Sequence, residues 1–506
     1  GPPTRGSMAI STRDVTVTTF DYLANLDLKL SEGWRSISSV GGQFFGRKSL
    51  FRAASANDFP AAGLVSLAAA AVRNVTGDEV FENNTVGGFV QQQLAWNNRL
   101  FLTAAVRADD NSAFGTNFDV VTYPKLSASY VISEEPSIAL PGWVDQLRLR
   151  AAYGGSGQQP GAFDATRTYL AQGGFLTPGN AGNPDLGPER STELELGFDA
   201  GLLDDRVGLD VTTFFGTTKD AILSRLAPPS AGFPGSQLFN AGEVQRRGIE
   251  WQVRWQALNR ENLGLDFTIN GSTLEYEITD LGGEERINVS STEQHVVGYA
   301  PGAWFDRRLV SADFDPVTRR ATNIRCDDGN GGSVECANAP RVFRGNTVPT
   351  REGSVGVGLT LFKDLRVNAF FDYRGGYSKL DGNRRVRCNL FSLCEINYFP
   401  ERYDPVLVAE AQNGTAYTTE LIQDAGFTRF RELSATYTLP ASVARALKAS
   451  RASVTVAGRN LGLWTNFRGI EPEASFNGGT RGGFGQWEQN VLPQLRSFVT
   501  TINLNF

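Results

Sequence analysis

The sequence predicts an all-β fold, a transmembrane antiparallel β-barrel of about 15 strands with long extracellular loops. Three observations predict it. Apolar residues recur at every second position over unusually long segments. The connections between those segments alternate between short and long. No run of about 20 apolar residues exists, which excludes an ordinary transmembrane helix.

The alternation is clearest from Thr192 onward. Leu194, Leu196, Phe198, Ala200 and Leu202 share one face, with Glu193, Glu195, Gly197, Asp199 and Gly201 opposite. After Asp204-Asp205 the pattern resumes with Val207, Leu209, Val211 and Phe215 against Gly208 and Asp210. Leu263, Leu265, Phe267 and Ile269 alternate with Gly264, Asp266, Thr268 and Asn270. Val355 to Leu361 leads through Lys363-Asp364 into Leu365, Val367, Ala369, Phe371 and Tyr373, opposite Arg366, Asn368, Asp372 and Arg374. These segments read as roughly 12–16 residues, where strands of globular proteins run about 5–6. Helical periodicity is nearly absent; the best candidate is Ala441 to Lys448, after Pro440. The apolar run Ala61 to Val72 is too short to span a bilayer and reads as a short helix or loop.

Short connections fall at Glu32-Gly33, Asn97-Asn98, Asp204-Asp205 and Lys363-Asp364. Intermediate ones cover Ser133 to Gln146 and Asn259 to Asn262. Long ones cover Asp109 to Val121, Gly155 to Arg190, Thr217 to Asn240, Thr279 to Thr347, Gly376 to Gly426 and Asn466 to Gln489. Tight turns at one rim and long loops at the other characterise outer-membrane barrels. Trp34, Trp96 and Trp143 lie near short connections, where an interfacial aromatic belt falls. Phe498 to Phe506 keeps its apolar residues, Ile502, Leu504 and Phe506 among them, at even positions. A terminal strand ending in Phe resembles the assembly signal of outer-membrane barrels.

Parity adds an expectation. The last strand follows a long loop and runs inward, so the first of about 15 strands begins outside, whereas an intact single-chain barrel has an even number. An odd number of strands is therefore expected to be absent at the N-terminus. Residues 1–8 also lack a charged-then-apolar leader. An open edge in lipid must be completed, by further sequence or by a second polypeptide.

Composition limits function. The chain has 55 glycines, 33 Phe, 13 Tyr and 8 Trp, which suits strands, turns and girdles. A net charge of -6 without a basic patch argues against nucleic acid. A single histidine, His295, in a predicted external loop, argues against metal and general-base chemistry. No G-x-x-x-x-G-K-[ST] or G-x-S-x-G motif is present. The reading is of a non-enzyme without cofactors. Cys326, Cys336, Cys388 and Cys394 fall in two predicted external loops and allow three pairings. Short separations favour Cys326 with Cys336 and Cys388 with Cys394, a zinc site being the alternative. Asp327-Asp328-Gly329-Asn330 lacks the acidic twelfth residue of a calcium loop, where Asn338 stands, and reads as a turn.

The charges on the polar strand faces, Arg148, Arg150, Glu193, Glu195, Asp199, Asp210, Asp266, Arg366, Asp372 and Arg374, face the lumen in a barrel. On the lipid face an Arg or Lys near the midplane costs about 2–4 kcal/mol. These charges dock a plug or line a substrate path.

Several segments resemble the SusC/RagA-like branch of TonB-dependent transporters, in the family's order. They are Tyr123 to Ser133 (YPKLSASYVIS), Leu147 to Gly157 (LRLRAAYGGSG), Gly182 to Gly197 (GNPDLGPERSTELELG), Asn240 to Glu250 (NAGEVQRRGIE), Phe427 to Pro440 (FTRFRELSATYTLP) and Gly458 to Leu461 (GRNL). The resemblance implies a bacterial outer-membrane location and a barrel of about 22 strands. Residues 1–506 would be its C-terminal part, with signal, plug and first strands outside it. It further implies a SusD-like surface lipoprotein as partner, TonB engaged through the N-terminal region, and import of bulky oligosaccharides or peptides. A structural or adhesive surface protein and a passive porin-like channel are the alternatives.

Overall fold

The computed structural model describes residues 6–117, 120–172, 174–226, 230, 232–233, 236–413, 416–475 and 487–506. The first five residues, and parts of the predicted long connections after Asp109, Gly155, Thr217, Gly376 and Asn466, lie outside them.

Fifteen strands share one sheet, and their order in the sheet is their order in the chain. They are β1 Ser7–Lys29, β2 Trp34–Asn57, β3 Val72–Trp96, β4 Leu100–Asn111, β5 Val121–Val131, β6 Val144–Gln158, β7 Glu189–Leu202 and β8 Val207–Lys219. Then follow β9 Glu243–Arg260, β10 Leu263–Asp280, β11 Arg351–Leu361, β12 Leu365–Gly375, β13 Phe427–Thr438, β14 Arg451–Thr465 and β15 Ser497–Asn505. β1 and β15 stand at the two ends of that order, and each is exposed almost throughout. No helix among the described residues is long and apolar enough to cross a membrane, which says nothing of strands that do.

Turn chemistry sets the short connections. Asn97 and Asn98 have φ of 48° and 55°, and Asp204 and Asp205 both have 59°. Tight hairpins need such left-handed residues because their twist matches that of the strands, and Asn and Asp tolerate them. The chain folds as two compact units.

The first unit holds residues 1–130, 151–194 and 218–242. β1, β2 and β3 run 23, 24 and 25 residues, far beyond the roughly 9–11 that a tilted strand needs to cross a bilayer. In the outer halves of β2 and β3 Arg52 lies beside Asp78 at 3.8 Å. The segment between β2 and β3 contains only a single 3-10 turn, Leu67–Ala69. At the short-connection end Trp34 opposes Trp96, ring centroids 6.3 Å apart.

The second unit holds residues 131–150, 195–217 and 243–506. Its long connections fold into a layer of their own. One four-stranded and two three-stranded sheets are built from short segments between Arg286 and Glu488. Helix α1, Pro405–Gln412, capped by the Asp404 side chain, completes the layer. Its cores are small: Trp304, Leu380 and Ile422 form one, and Leu309, Cys326, Cys336, Ala339 and Ala409 another. Sequence periodicity predicts none of this layer. The one helix it does predict appears as α2, Ala441–Ala446, in the connection before β14.

Candidate functional site

The polar face of the second unit forms a ladder of charge pairs built on the period-two alternation. Near the short connections Arg148 donates to Asp199, and Arg150 reaches both Asp199 and Asp210, each at 2.9 Å. Arg366 forks onto Asp266 at 2.9 and 3.0 Å. In two of these pairs the arginine spans an intervening strand. Arg150 on β6 reaches Asp210 on β8 past Gly197 of β7, where a Cβ would lie 3.4 Å from the guanidinium. Arg366 on β12 reaches Asp266 on β10 across Gly358 of β11, where a Cβ would sit 2.3 Å from Nη2 and 2.5 Å from the carboxylate. The first unit repeats the device: Arg107 on β4 reaches Gln43 on β2 at 2.9 Å past Gly87 of β3. The glycine removes the side chain that would fill the path.

Higher on the same face, Gln252, Asn270, Ser354 and Asp372 stand opposite one another on β9 to β12. Gln252 donates to Asn270 at 2.8 Å, and Asn270 to Ser354 at 3.1 Å. Arg431 closes the row with two 2.7 Å bonds to Asp372. Above it Arg374 pairs with Glu352 at 3.3 Å. Glu193 and Glu195 occupy the polar positions of β7. All ten charged residues singled out by alternation therefore lie on polar strand positions. Ion pairs tie Arg148, Arg150, Asp199, Asp210, Asp266, Arg366, Asp372 and Arg374 into the ladder.

Two clefts open on this face. One of about 740 Å³ is lined by Arg148, Asp199, Arg254, Asp266 and Arg366. The other, about 530 Å³, is lined by Asp210, Glu250, Gln252, Asn270 and Glu352. Such walls suit a polar, multiply hydrogen-bonding occupant.

The ladder continues into the outer layer. Arg429 and Glu471 form an ion pair with side chains 3% and 2% exposed, and Arg431 adds Glu473 at 2.6 Å. Glu471 and Glu473 belong to the segment after β14, so this buried network pins that segment to β13. Tyr377 donates its hydroxyl to Pro472 O at 3.1 Å, and Lys379 donates to Ala474 O at 2.6 Å. Burial pushes the Lys379 ammonium down to about 8. Burial also pushes the Asp381 and Glu488 carboxyls up; the two lie opposite each other where Trp487–Glu488 pairs in parallel with Ser378–Asp381. None of these partners is legible in sequence, because they lie tens of residues apart.

The structure joins Cys326 to Cys336 and Cys388 to Cys394. Asp328 accepts from Asn330 and Gly332 backbone N–H groups at 2.8 and 2.9 Å, forming a turn. His295 accepts from Gly302 N at 3.1 Å, packed within the layer. Among the described residues no group of three or more His, Cys, Asp or Glu is placed to hold a metal ion.

A family model described as TonB dependent receptor-like, beta-barrel, matches residues 2–461. TonB-dependent receptor P26 of Formosa agariphila is 25% identical over 478 residues, covering 86% of this chain and 47% of that protein. TonB-dependent receptor SusC of Bacteroides thetaiotaomicron is 21% identical over 458 residues, covering 84% and 44%. The RagAB peptide importer in its open-open state matches in fold with a TM-score of 0.82 at 21% identity, over 99% of this chain and 56% of that one. The chain spans about half the length of the curated relatives it matches.

Proposed function

The chain belongs to the TonB-dependent receptor β-barrel family of the outer membrane, and from that premise we propose that it forms most of the barrel wall of an energised importer of a bulky nutrient, an oligosaccharide or a peptide. The observation that carries the reading is the polar ladder. It runs from the short-connection end of the strands through Arg366–Asp266 and the Gln252–Asn270–Ser354–Asp372 row to the outer layer. A barrel interior lined in this way accepts a hydrated solute and a docked plug through hydrogen bonds, and it excludes apolar cargo by desolvation cost. The fold shared with a peptide importer supports the peptide class, and the resemblance of the sequence segments to SusC/RagA-like transporters implies oligosaccharides beside it. The reading includes no catalysis. A SusD-like lipoprotein would seat on the outer layer, and TonB and the plug would act through the remainder of the full-length protein.

Uptake tests it. Cells expressing the full-length receptor should accumulate labelled oligosaccharide or peptide, and a protonophore or loss of TonB should abolish accumulation. Uptake that survives both treatments would make the protein a passive channel, and surface binding without uptake would make it an adhesin.

A further inference from the structure

The sheet's other face carries a cleft that transport does not explain. Gly353, Tyr373, Thr428 and Trp464 stand opposite one another on β11, β12, β13 and β14. They lie on the apolar parity, one step outward from Phe371 and Phe430, which stack at 4.4 Å. In an outer-membrane barrel this parity faces lipid, and the long-loop end of the strands is the outer rim. One step further out the wall disappears. Gly375, Gly376 and Gly426 have no side chains, and the Tyr373 ring folds over Gly375, where a Cβ would lie 2.2 Å from the phenol oxygen. The result is a cleft of about 980 Å³, overhung by Phe343 and Tyr377 of the outer layer.

The cleft is amphipathic in the direction a bilayer requires. Trp464 and Tyr373 are 57% and 42% exposed, as aromatics at a membrane interface are. Arg351, opposite Gly375 at the upper edge, is exposed, and its side chain makes no hydrogen bond or ion pair among the described residues. Asp424 also lines the cleft, its carboxylate accepting from the Gly426 backbone N–H at 3.0 Å. Arg351 is the cationic group of the lining, at the long-loop end of β11. Because its strand residues lie on the parity that faces lipid in such a barrel, its occupant is expected to enter from the membrane.

We propose that this rim cleft binds a phosphate-bearing lipid of the outer leaflet. Arg351 would engage the phosphate, and Trp464 with the Phe371–Phe430 stack would receive the acyl chains. The inference needs only the barrel's orientation and is independent of what the protein transports.

The test uses the full-length receptor, extracted in mild detergent and probed by native mass spectrometry after exchange into nanodiscs that contain lipid A or a phosphate-free glycolipid. Wild type should retain a phosphorylated lipid through detergent washing. Arg351→Glu should retain at least tenfold less, Arg351→Lys an intermediate amount, and Trp464→Ala should lower retention without abolishing phosphate preference. Heat-modifiable electrophoretic mobility reports folding, and Arg351→Gln replaces Arg351→Glu if the latter does not fold. Equal retention by wild type and the Arg351 variants would overturn the proposal. So would equal retention of the phosphate-free glycolipid, or a second receptor copy found in place of lipid.

Discussion

Removing Glu471 should unlatch the segment that follows β14. The Glu471 carboxylate receives Arg429, the backbone N–H of Glu473 at 3.2 Å and that of Gln494 at 3.2 Å. Both side chains of the ion pair are almost fully buried. Breaking a buried pair by deleting one partner costs about 3–5 kcal/mol, because the other charge remains in a poor solvent. Glu473 lies 3.7 Å from Arg429 Nε and offsets part of that loss, which puts Glu471→Ala near the lower end. About 3 kcal/mol is roughly a hundredfold rise in local opening. Hydrogen–deuterium exchange on the full-length receptor should show it in peptides covering 466–475 and 487–496, with β11 and β12 unchanged. Arg429→Met with Glu471→Met removes both charges and should restore protection to within about 1 kcal/mol of wild type. If the double variant exchanges as fast as Glu471→Ala, the loss comes from packing and the stranded-charge argument is wrong.

Other outcomes follow from the same geometry. Replacing Cys326 and Cys336 with Ala should destabilise the hairpin they close by about 3 kcal/mol, read as selective proteolysis between Leu309 and Asn338. Non-reducing mass mapping should find those peptides, and those of Cys388 and Cys394, joined in wild type. Lys379 titrates near 8 when folded and near 10.5 when unfolded, so the folded state holds fewer protons in that window and stability rises with pH across it. Thermal midpoints at pH 7.5, 8.5 and 9.5 should therefore climb more steeply in wild type than in Lys379→Met. Phe506→Ser should lower the amount of receptor reaching the outer membrane severalfold while leaving the thermal midpoint of what assembles unchanged, as fractionation and melting would show.

The strands were legible where one face meets lipid and the other water. Leu194 to Leu202 alternates cleanly for that reason, and Leu365 to Tyr373 does so with Phe370 as the one exception. The outer half of β2 was not, because Arg47, Lys48 and Arg52 follow no apolar period. Helix α1 was hidden for the opposite reason. Val408, Ala409, Glu410 and Ala411 are all buried, so no amphipathic stripe marks it; only Asp404-Pro405, a cap followed by proline, signals its start. Ten charges could be placed on the polar strand face from parity, but their partners could not be named. Arg366 and Asp266 are 100 residues apart, and the signal for their meeting is a glycine, Gly358, on a third strand.

That glycine gives the sheet an error check. If β11 slipped by one residue against its neighbours, Val357 or Leu359 would arrive beneath the Arg366–Asp266 span, and a branched side chain would occupy the space the guanidinium needs. The same holds for Phe198 beside Gly197 under Arg150. Each diagonal brace therefore discriminates against a one-residue slip, the misalignment that would turn the strand's apolar face to the polar side. Once closed, the braces also tie three strands together against shear along the strand direction.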